Sequence, residues 1–513
     1  MSRSVERPRR ARDKYIVLGA ICLASAVLPL DFSGAAAATP AIARALGGSP
    51  VALTWIVNAF MLGFGSCVMA AGALADAYGR KRVFTIGIAL FVVTSVAVSF
   101  APDVGWLDAF RVAQGIAAAC TLSGGSAALA QEFEGPEQAR AFSLLGTTFG
   151  VGLAFGPSLG GALIAAFGWR AVFLSGAVVG AVSLVCGVPR MRESRDPSAR
   201  GVDWPGTATF TAALALFTFA LLEVPERGWT SAPVVGLFAA AGLSLAAFVA
   251  IELRAARPML DLSLFRYPRF VGVQALPVAT ACCYVVLLIL LPIRFIGIEG
   301  RDEMTGGMMM IALSAPMLVV PFAVALCTRW LSAGLLSAAG LALSAAGLVW
   351  LGYIPPGASI GAIAKPMLLI GFGTSAPWGL MDGLSVSVVP KERAGMATGI
   401  FSTTRIAGEG VALAASRAAL ATLLGSHLAR GEGASRPDVA RLAQAAGRVA
   451  AGDLRGAGMD PAALLFAYGD SFRALCMGLA AVTFASAVVV YVFLARRPAP
   501  SGGSLDVAGS PSR

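Results

Sequence analysis

Apolar stretches of about twenty residues, divided by short polar breaks, recur along nearly the whole chain. On that pattern membrane-spanning helices are predicted near 15–38, 51–71, 83–100, 105–130, 141–165, 169–188, 204–222 and 232–252. A second set is predicted near 268–292, 304–327, 333–353, 360–382, 394–425 and 469–495. That makes fourteen spans, an even count that puts both ends of the chain on one side of the membrane. Two breaks are longer and more charged than the rest: the proline-punctuated Pro189–Val202, and Glu252–Arg269. The predicted organisation is a tail over 1–14, a six-helix bundle over 15–188 and a loop over 189–203. Two linker helices over 204–252, a loop over 253–267 and a second six-helix bundle over 268–495 follow, with a tail over 496–513. A polar loop interrupts the second bundle at 426–468, and 438–454 within it predicts a polar surface helix.

Composition narrows the class. Of 513 residues 57% are hydrophobic and 13% charged, against about 25% charged in soluble domains. The fold class is therefore all-α and polytopic. The formal net charge of +11 reports topology here and not nucleic acid, because its cations gather in alternate loops. Arg80, Lys81 and Arg82 share a side with Arg190, Arg192, Arg195 and Arg200, with Arg254, Arg257, Arg266 and Arg269, and with the tails. That side is expected to be the cytoplasm; the cations of 426–468, on the opposite side, are the exception. The basic N-terminus lacks a clear cleavage site and reads as a retained tail. The eight cysteines lie in apolar segments without a C-x-x-C pair, which leaves neither a disulfide framework nor a metal site. No phosphate loop for ATP appears, and no acid/base or nucleophile cluster suggests an enzyme.

The fifth span carries the most specific spelling, Gly150–Ile164, GVGLAFGPSLGGALI. Gly152, Gly156 and Gly160 recur every four residues and line one face, which lets another backbone approach closely. Pro157 frees the carbonyl of Leu153 and permits a bend. With Gly161 these residues complete G-x-x-x-G-P-x-x-G-G, which resembles the fifth-helix antiporter motif of major facilitator exporters. A helix that rocks against another is the expectation.

Between the second and third spans the chain reads Gly72-Ala-Leu-Ala-Asp-Ala-Tyr-Gly-Arg-Lys-Arg82. Asp76 at one helix end and Arg80 at the next oppose the helix dipoles, so each needs another partner; Gly79 supplies the turn. The stretch is similar to the G-x-L-a-D-r-x-G-r-k motif of the major facilitator superfamily, with Ala77 in place of the usual base. The resemblance implies a gating loop, Gly72, Asp76, Gly79 and Arg80, that latches the two bundles.

In the fourth span Arg111 and Gln114, in Phe110-Arg-Val-Ala-Gln-Gly115, interrupt an apolar helix, and an intramembrane arginine costs about 2.5–3.5 kcal/mol or more. This resembles the family's R-x-x-Q-G motif, implicated in proton transfer. The first span holds one acid, Asp31, and counting at about 1.5 Å per residue sets it level with Arg111. A direct or water-bridged pair is therefore allowed, and a carboxylate whose cation moves can serve as a proton switch. Leu30–Pro40 resembles the signature of the fourteen-helix drug:proton antiporters at Leu30, Asp31, Ala38 and Pro40; Ser33 and Ala36 depart from it. Trp55–Leu62, Gly168–Phe173 and Lys391–Gly399 add to the likeness.

The thirteenth span carries Arg405 and Glu409 on an i, i+4 face, where Glu409 either neutralises Arg405 or lines a cavity. Asp382 and His427 read as solvated. Together the resemblance implies the major facilitator fold, two six-helix bundles plus two central helices, whose repeats suit a transporter. The expected activity is proton-coupled export of lipophilic small molecules from the cytoplasm across the cell membrane, without a cofactor. Proton coupling falls to Asp31, Arg111 and Glu409, and the substrate cavity to Asp31, Gln114, Arg405 and Glu409. Expected partners are a small lipophilic substrate, protons and membrane lipids, with the monomer as working unit. The alternatives are a proton symporter for a small metabolite, or a membrane sensor that transports nothing.

Overall fold

The computed structural model describes residues 11–133, 135–195, 203–254, 262–389, 394–431 and 439–495. These are helical almost throughout, and no strand occurs among them. The first half holds α1 (Ala11–Leu46), α2 (Pro50–Tyr78), α3 (Arg80–Ser99), α4 (Val104–Glu132), α5 (Gly135–Phe167) and α6 (Arg170–Gly187). Two helices follow, α7 (Trp204–Arg227) and α8 (Ala232–Glu252). The second half holds α9 (Pro268–Thr280), α10 (Val286–Pro292), α11 (Glu303–Ser314), α12 (Pro316–Cys327), α13 (Ala333–Gly352) and α14 (Ile360–Ser387). It ends with α15 (Ala394–Gly431), α16 (Val439–Ala450) and α17 (Pro461–Leu494).

In the first half α4 packs against α2 and α3, while α1 packs against α5 and α6. In the second, α13 lies against α14 and α17, and α9 against α17. The halves meet along two seams, α5 with α11 and α2 with α15. The α7–α8 pair leans on the second seam, with α7 touching both α2 and α15. There the Thr211 hydroxyl donates to the Ser66 carbonyl at 3.0 Å, and the Trp55 and Phe219 rings lie 5.4 Å apart.

Helix starts follow from local sequence. Ser49, Asp103, Asp302 and Ser332 each accept a backbone N–H from the first turn that follows them, which satisfies donors the helix cannot. Twelve described helices are long and apolar enough to cross a membrane, or thirteen if a bent pair in α5 counts as one span. The expected fourteen is not reached by this measure. The helix that falls short is α14, whose Lys365, Thr374, Ser375 and Asp382 and two internal prolines dilute its apolar character. Its polar middle faces protein: Thr374 and Ser375 are buried, and Thr374 lies 3.0 Å from the Ser344 hydroxyl.

Other boundaries shift for identifiable reasons. The span predicted at 268–292 continues to Ile298, through π-helical segments Ala281–Val285 and Ile293–Ile298 on either side of α10. Arg294 does not end it, because Glu299 pairs with the guanidinium at 2.8 Å. The span at 304–327 breaks into α11 and α12 at Pro316, which opens the second helix. The helix expected within 438–454 is one-sided: Leu442, Ala445, Ala446 and Val449 are buried, and it packs on α15. The tails (1–10 and 496–513), the loop residues 196–202 and 255–261, and Lys391, Glu392 and Arg393 lie outside the described residues.

Candidate functional site

Glycines set the lateral spacing around the fourth helix. A Cβ at Gly115 would collide with the Phe60 carbonyl, and one at Gly63 with the Val112 carbonyl, so α2 and α4 run backbone to backbone. That approach lets Arg111 donate from Nε to the Ile56 carbonyl at 2.8 Å. Its Nη1 donates to Asp31 Oδ2 at 2.5 Å and to Gln114 Oε1 at 2.6 Å. Gln114 passes the chain on, donating to Ser95 Oγ at 2.7 Å. The guanidinium also lies over the Phe60 and Phe173 rings, 4.6 and 5.5 Å from their centroids. Helices α1, α2, α3, α4 and α6 thus converge on one ion pair.

Asp31, Arg111 and Gln114 are 0% exposed. In this conformation neither Asp31 nor Gln114 lines an open cavity. The shared depth read from the sequence is here a direct contact. It is also incomplete, since Asp31 Oδ1 and Arg111 Nη2 have no hydrogen-bond partner. Leaving such groups unmade in low dielectric is costly.

The glycine ridge of α5 turns out to face its own half. A Cβ at Gly152 would strike the Ala26 carbonyl, one at Gly156 the Ser33 hydroxyl, and one at Gly160 would come within 3.1 Å of Gly34 Cα. All three partners belong to α1. The seam with the other half is made by the neighbouring face. There Gly161 faces the Glu303 carbonyl and Gly307, and the Ser158 hydroxyl donates to the Gly307 carbonyl at 2.7 Å. Arg44 of α1 pairs with Glu303 of α11 beside it. The helix bends by 47° between Leu144–Leu153 and Phe155–Phe167, at the carbonyl that Pro157 leaves free.

The loop between α2 and α3 finds its partners inside the first half. Arg80 pairs with Asp76 at 3.1 Å and donates to Gln131 at 2.9 Å. Gly79 has φ +122°, a conformation that favours glycine. The amides of Lys81 and Arg82 both donate to the Glu193 carboxylate at 3.1 Å, an anion placed where the start of α3 favours one. Gly72 meets nothing within 4 Å.

Of the two readings of Glu409, neutralisation of Arg405 is not what the second half shows. Arg405 turns from Glu409 to Asp382 of α14, at 3.2 Å, and lies 5.4 Å from the Phe149 ring of α5. Asp382, expected to be solvated, is half-exposed and in addition pairs with Arg405. Glu409 is 3% exposed, and its Oε1 has no partner. His427 is likewise engaged, with Nδ1 2.9 Å from Ser471 Oγ.

The profile of the Major Facilitator Superfamily matches residues 21–413. The chain belongs to the major facilitator superfamily. This facilitator is 32% identical to the multidrug resistance protein Stp of Mycobacterium tuberculosis, over 81% of this chain and 78% of that one. It is 32% identical to the cephamycin export protein CmcT of Amycolatopsis lactamdurans, over 77% of this chain and 82% of that one. It is 27% identical to the tetracenomycin C resistance and export protein of Streptomyces glaucescens, over 79% and 76%. Among solved structures, a bacterial homolog of the human lysosomal transporter Spinster, inward-facing and unoccupied, superposes with a TM-score of 0.62. That likeness, at 16% identity over 94% of this chain and 98% of the other, speaks to fold alone.

Three residues of this facilitator escaped the sequence reading. Arg294 and Arg417 are 1% and 4% exposed, and the cost of an intramembrane cation, applied to Arg111, would have found both. Glu193 sat in a charged loop with nothing to distinguish it from its neighbours.

Proposed function

We propose that this chain is a proton-coupled antiporter that exports lipophilic small molecules across the cell membrane by alternating access. The two halves rock along the α5–α11 and α2–α15 seams, with both termini in the cytoplasm. The observation that carries the reading is the sealed Asp31–Arg111 pair with one carboxylate oxygen unpartnered. Rearrangement of α1 against α4 exchanges the guanidinium for a proton, so the charge state of the site follows the conformation. One pH unit supplies about 1.4 kcal/mol, enough to bias a balanced two-state equilibrium about tenfold. The relatives, named for multidrug resistance or antibiotic export, support a small lipophilic compound as cargo.

Everted vesicles containing the full-length protein test this directly. A lipophilic dye should accumulate inside when the lumen is acid and leave when the gradient is reversed; flux indifferent to either gradient overturns the coupling. For topology, a single cysteine at position 194 should resist a membrane-impermeant reagent applied from outside intact cells. Labelling there would sink the assignment of sides.

A further inference from the structure

Arg417 differs from the other buried arginines of the helical core. Arg111, Arg294 and Arg405 each have a carboxylate within 3.2 Å, whereas no ion pair among the described residues includes Arg417. The structure gives it one hydrogen bond, from Nη1 to the Thr54 carbonyl of α2 at 3.2 Å. Nε and Nη2 are buried and have no partner. Those two atoms are the parallel N–H edge of the guanidinium, the edge that receives a carboxylate in bidentate fashion.

A second unpartnered group lies on α2, one turn from the residue whose carbonyl Arg417 engages. Asn58 is 1% exposed, and neither its amide nitrogen nor its oxygen has a partner. It stands one turn from Thr54 on α2, about 6 Å along the axis. The row Thr54, Asn58, Met61 and Gly65 is one helix face, and that face meets α15. A Cβ on Gly410 would lie 3.4 Å from Met61 Cβ, and one on Gly65 3.1 Å from Ala407 Cα. Both orphaned groups therefore belong to the α2–α15 seam, near the end of α2 that begins at Pro50. The sequence neighbours Val57 of α2 and Leu413 of α15 are apolar and fully buried.

We propose that Arg417 and Asn58 form a carboxylate-binding subsite in this seam, occupied by lipophilic acids as they pass outward between the halves. The subsite rests on the export reading for its place in a transport cycle, although its chemistry does not. The guanidinium edge takes both carboxylate oxygens, the Asn58 amide donates a further hydrogen bond, and the apolar walls receive the hydrocarbon body. A neutral ester of the same acid loses the charge-assisted contacts and keeps the rest.

Full-length protein in lipid nanodiscs, titrated with fluorescent pyrenebutyrate and with its methyl ester, tests the subsite. Wild type should bind the acid about tenfold more tightly than the ester. Arg417→Gln should remove that preference and leave ester affinity within about twofold. Asn58→Asp places a carboxylate beside the guanidinium, keeps the buried charge compensated and should exclude the acid to the same degree; it reads the proposal even if Arg417→Gln does not fold. Equal wild-type binding of acid and ester overturns the proposal, as does acid binding by Asn58→Asp at the wild-type level. Gradient-driven uptake of a neutral dye, measured in parallel in everted vesicles, separates the two readings. Flux without acid preference sinks the subsite alone, and acid preference without flux sinks the export reading alone.

Discussion

Two buried clusters, one in each half, hold the same residue types and use them differently. In the first half Asp31 and Arg111 neutralise each other at 2.5 Å, within a single bundle and away from any surface. In the second, Arg405 turns to the half-exposed Asp382 and stacks near Phe149 of the opposite half, leaving Glu409 with an unpartnered oxygen. A pair inside one bundle keeps its partner until that bundle itself deforms. Under the proposed rocking motion, a cluster on the seam changes surroundings with each movement of the halves. The first arrangement suits a switch of charge state, and the second suits contact with whatever enters between the halves.

Asp31→Asn should break the comparison most severely. Uphill export driven by a pH gradient should vanish while downhill exchange of substrate persists. Removing one partner of a buried pair also costs about 3–5 kcal/mol, so thermal unfolding should move down. Asp31→Asn with Arg111→Gln should recover stability and not coupling. Uphill export by the single variant with its pH dependence intact would move the coupling role to Glu409 or remove it.

The two faces of α5 sharpen the contrast between motion within a bundle and motion between bundles. Gly156→Leu forces a side chain against Ser33 of the same half and should destabilise by about 1–3 kcal/mol, read as a lower Tm. Gly161→Leu pushes against Gly307 of the other half; it should insert and melt like wild type yet lose transport. Identical behaviour of the two variants would erase the distinction between these faces.

Glu409→Gln should reduce export of cationic dyes about tenfold and leave neutral substrates nearly unchanged, if the carboxylate serves recognition; one tenfold step is about 1.4 kcal/mol. Loss for every substrate would assign it to coupling beside Asp31. The smallest effect belongs to Asp382→Asn, because a half-exposed ion pair contributes about 0–1 kcal/mol. Export should stay within about threefold of wild type, and a complete loss would show that Arg405 must be held in place.

Much of the site was legible because its motifs are local. The glycine ridge, the Pro157 bend and the Asp76–Arg80 turn each occupy a short window in which spacing dictates face and conformation. The equal depth of Asp31 and Arg111 followed from helix rise alone. The partner of Arg405 did not, because the i, i+4 rule favours Glu409 and nothing in that window announces Asp382, 23 residues away. The ridge of α5 declared a close approach without naming its partner, α1, for a related reason: small residues do not say to which helix they pack.

Hydropathy and periodicity place each residue along its helix and around it, and in a membrane that determines depth and face. They therefore established an all-helical membrane protein with charged residues held at cost inside apolar spans. Which helices stand side by side is a lateral question, and depth and face do not answer it. Asp31 and Arg111 lie 80 residues apart, and Arg417 and Thr54 lie 363 apart. Only the packed structure brings such pairs together, because close backbone approach at glycines such as Gly115 and Gly161 selects neighbours by the fit of whole helix surfaces.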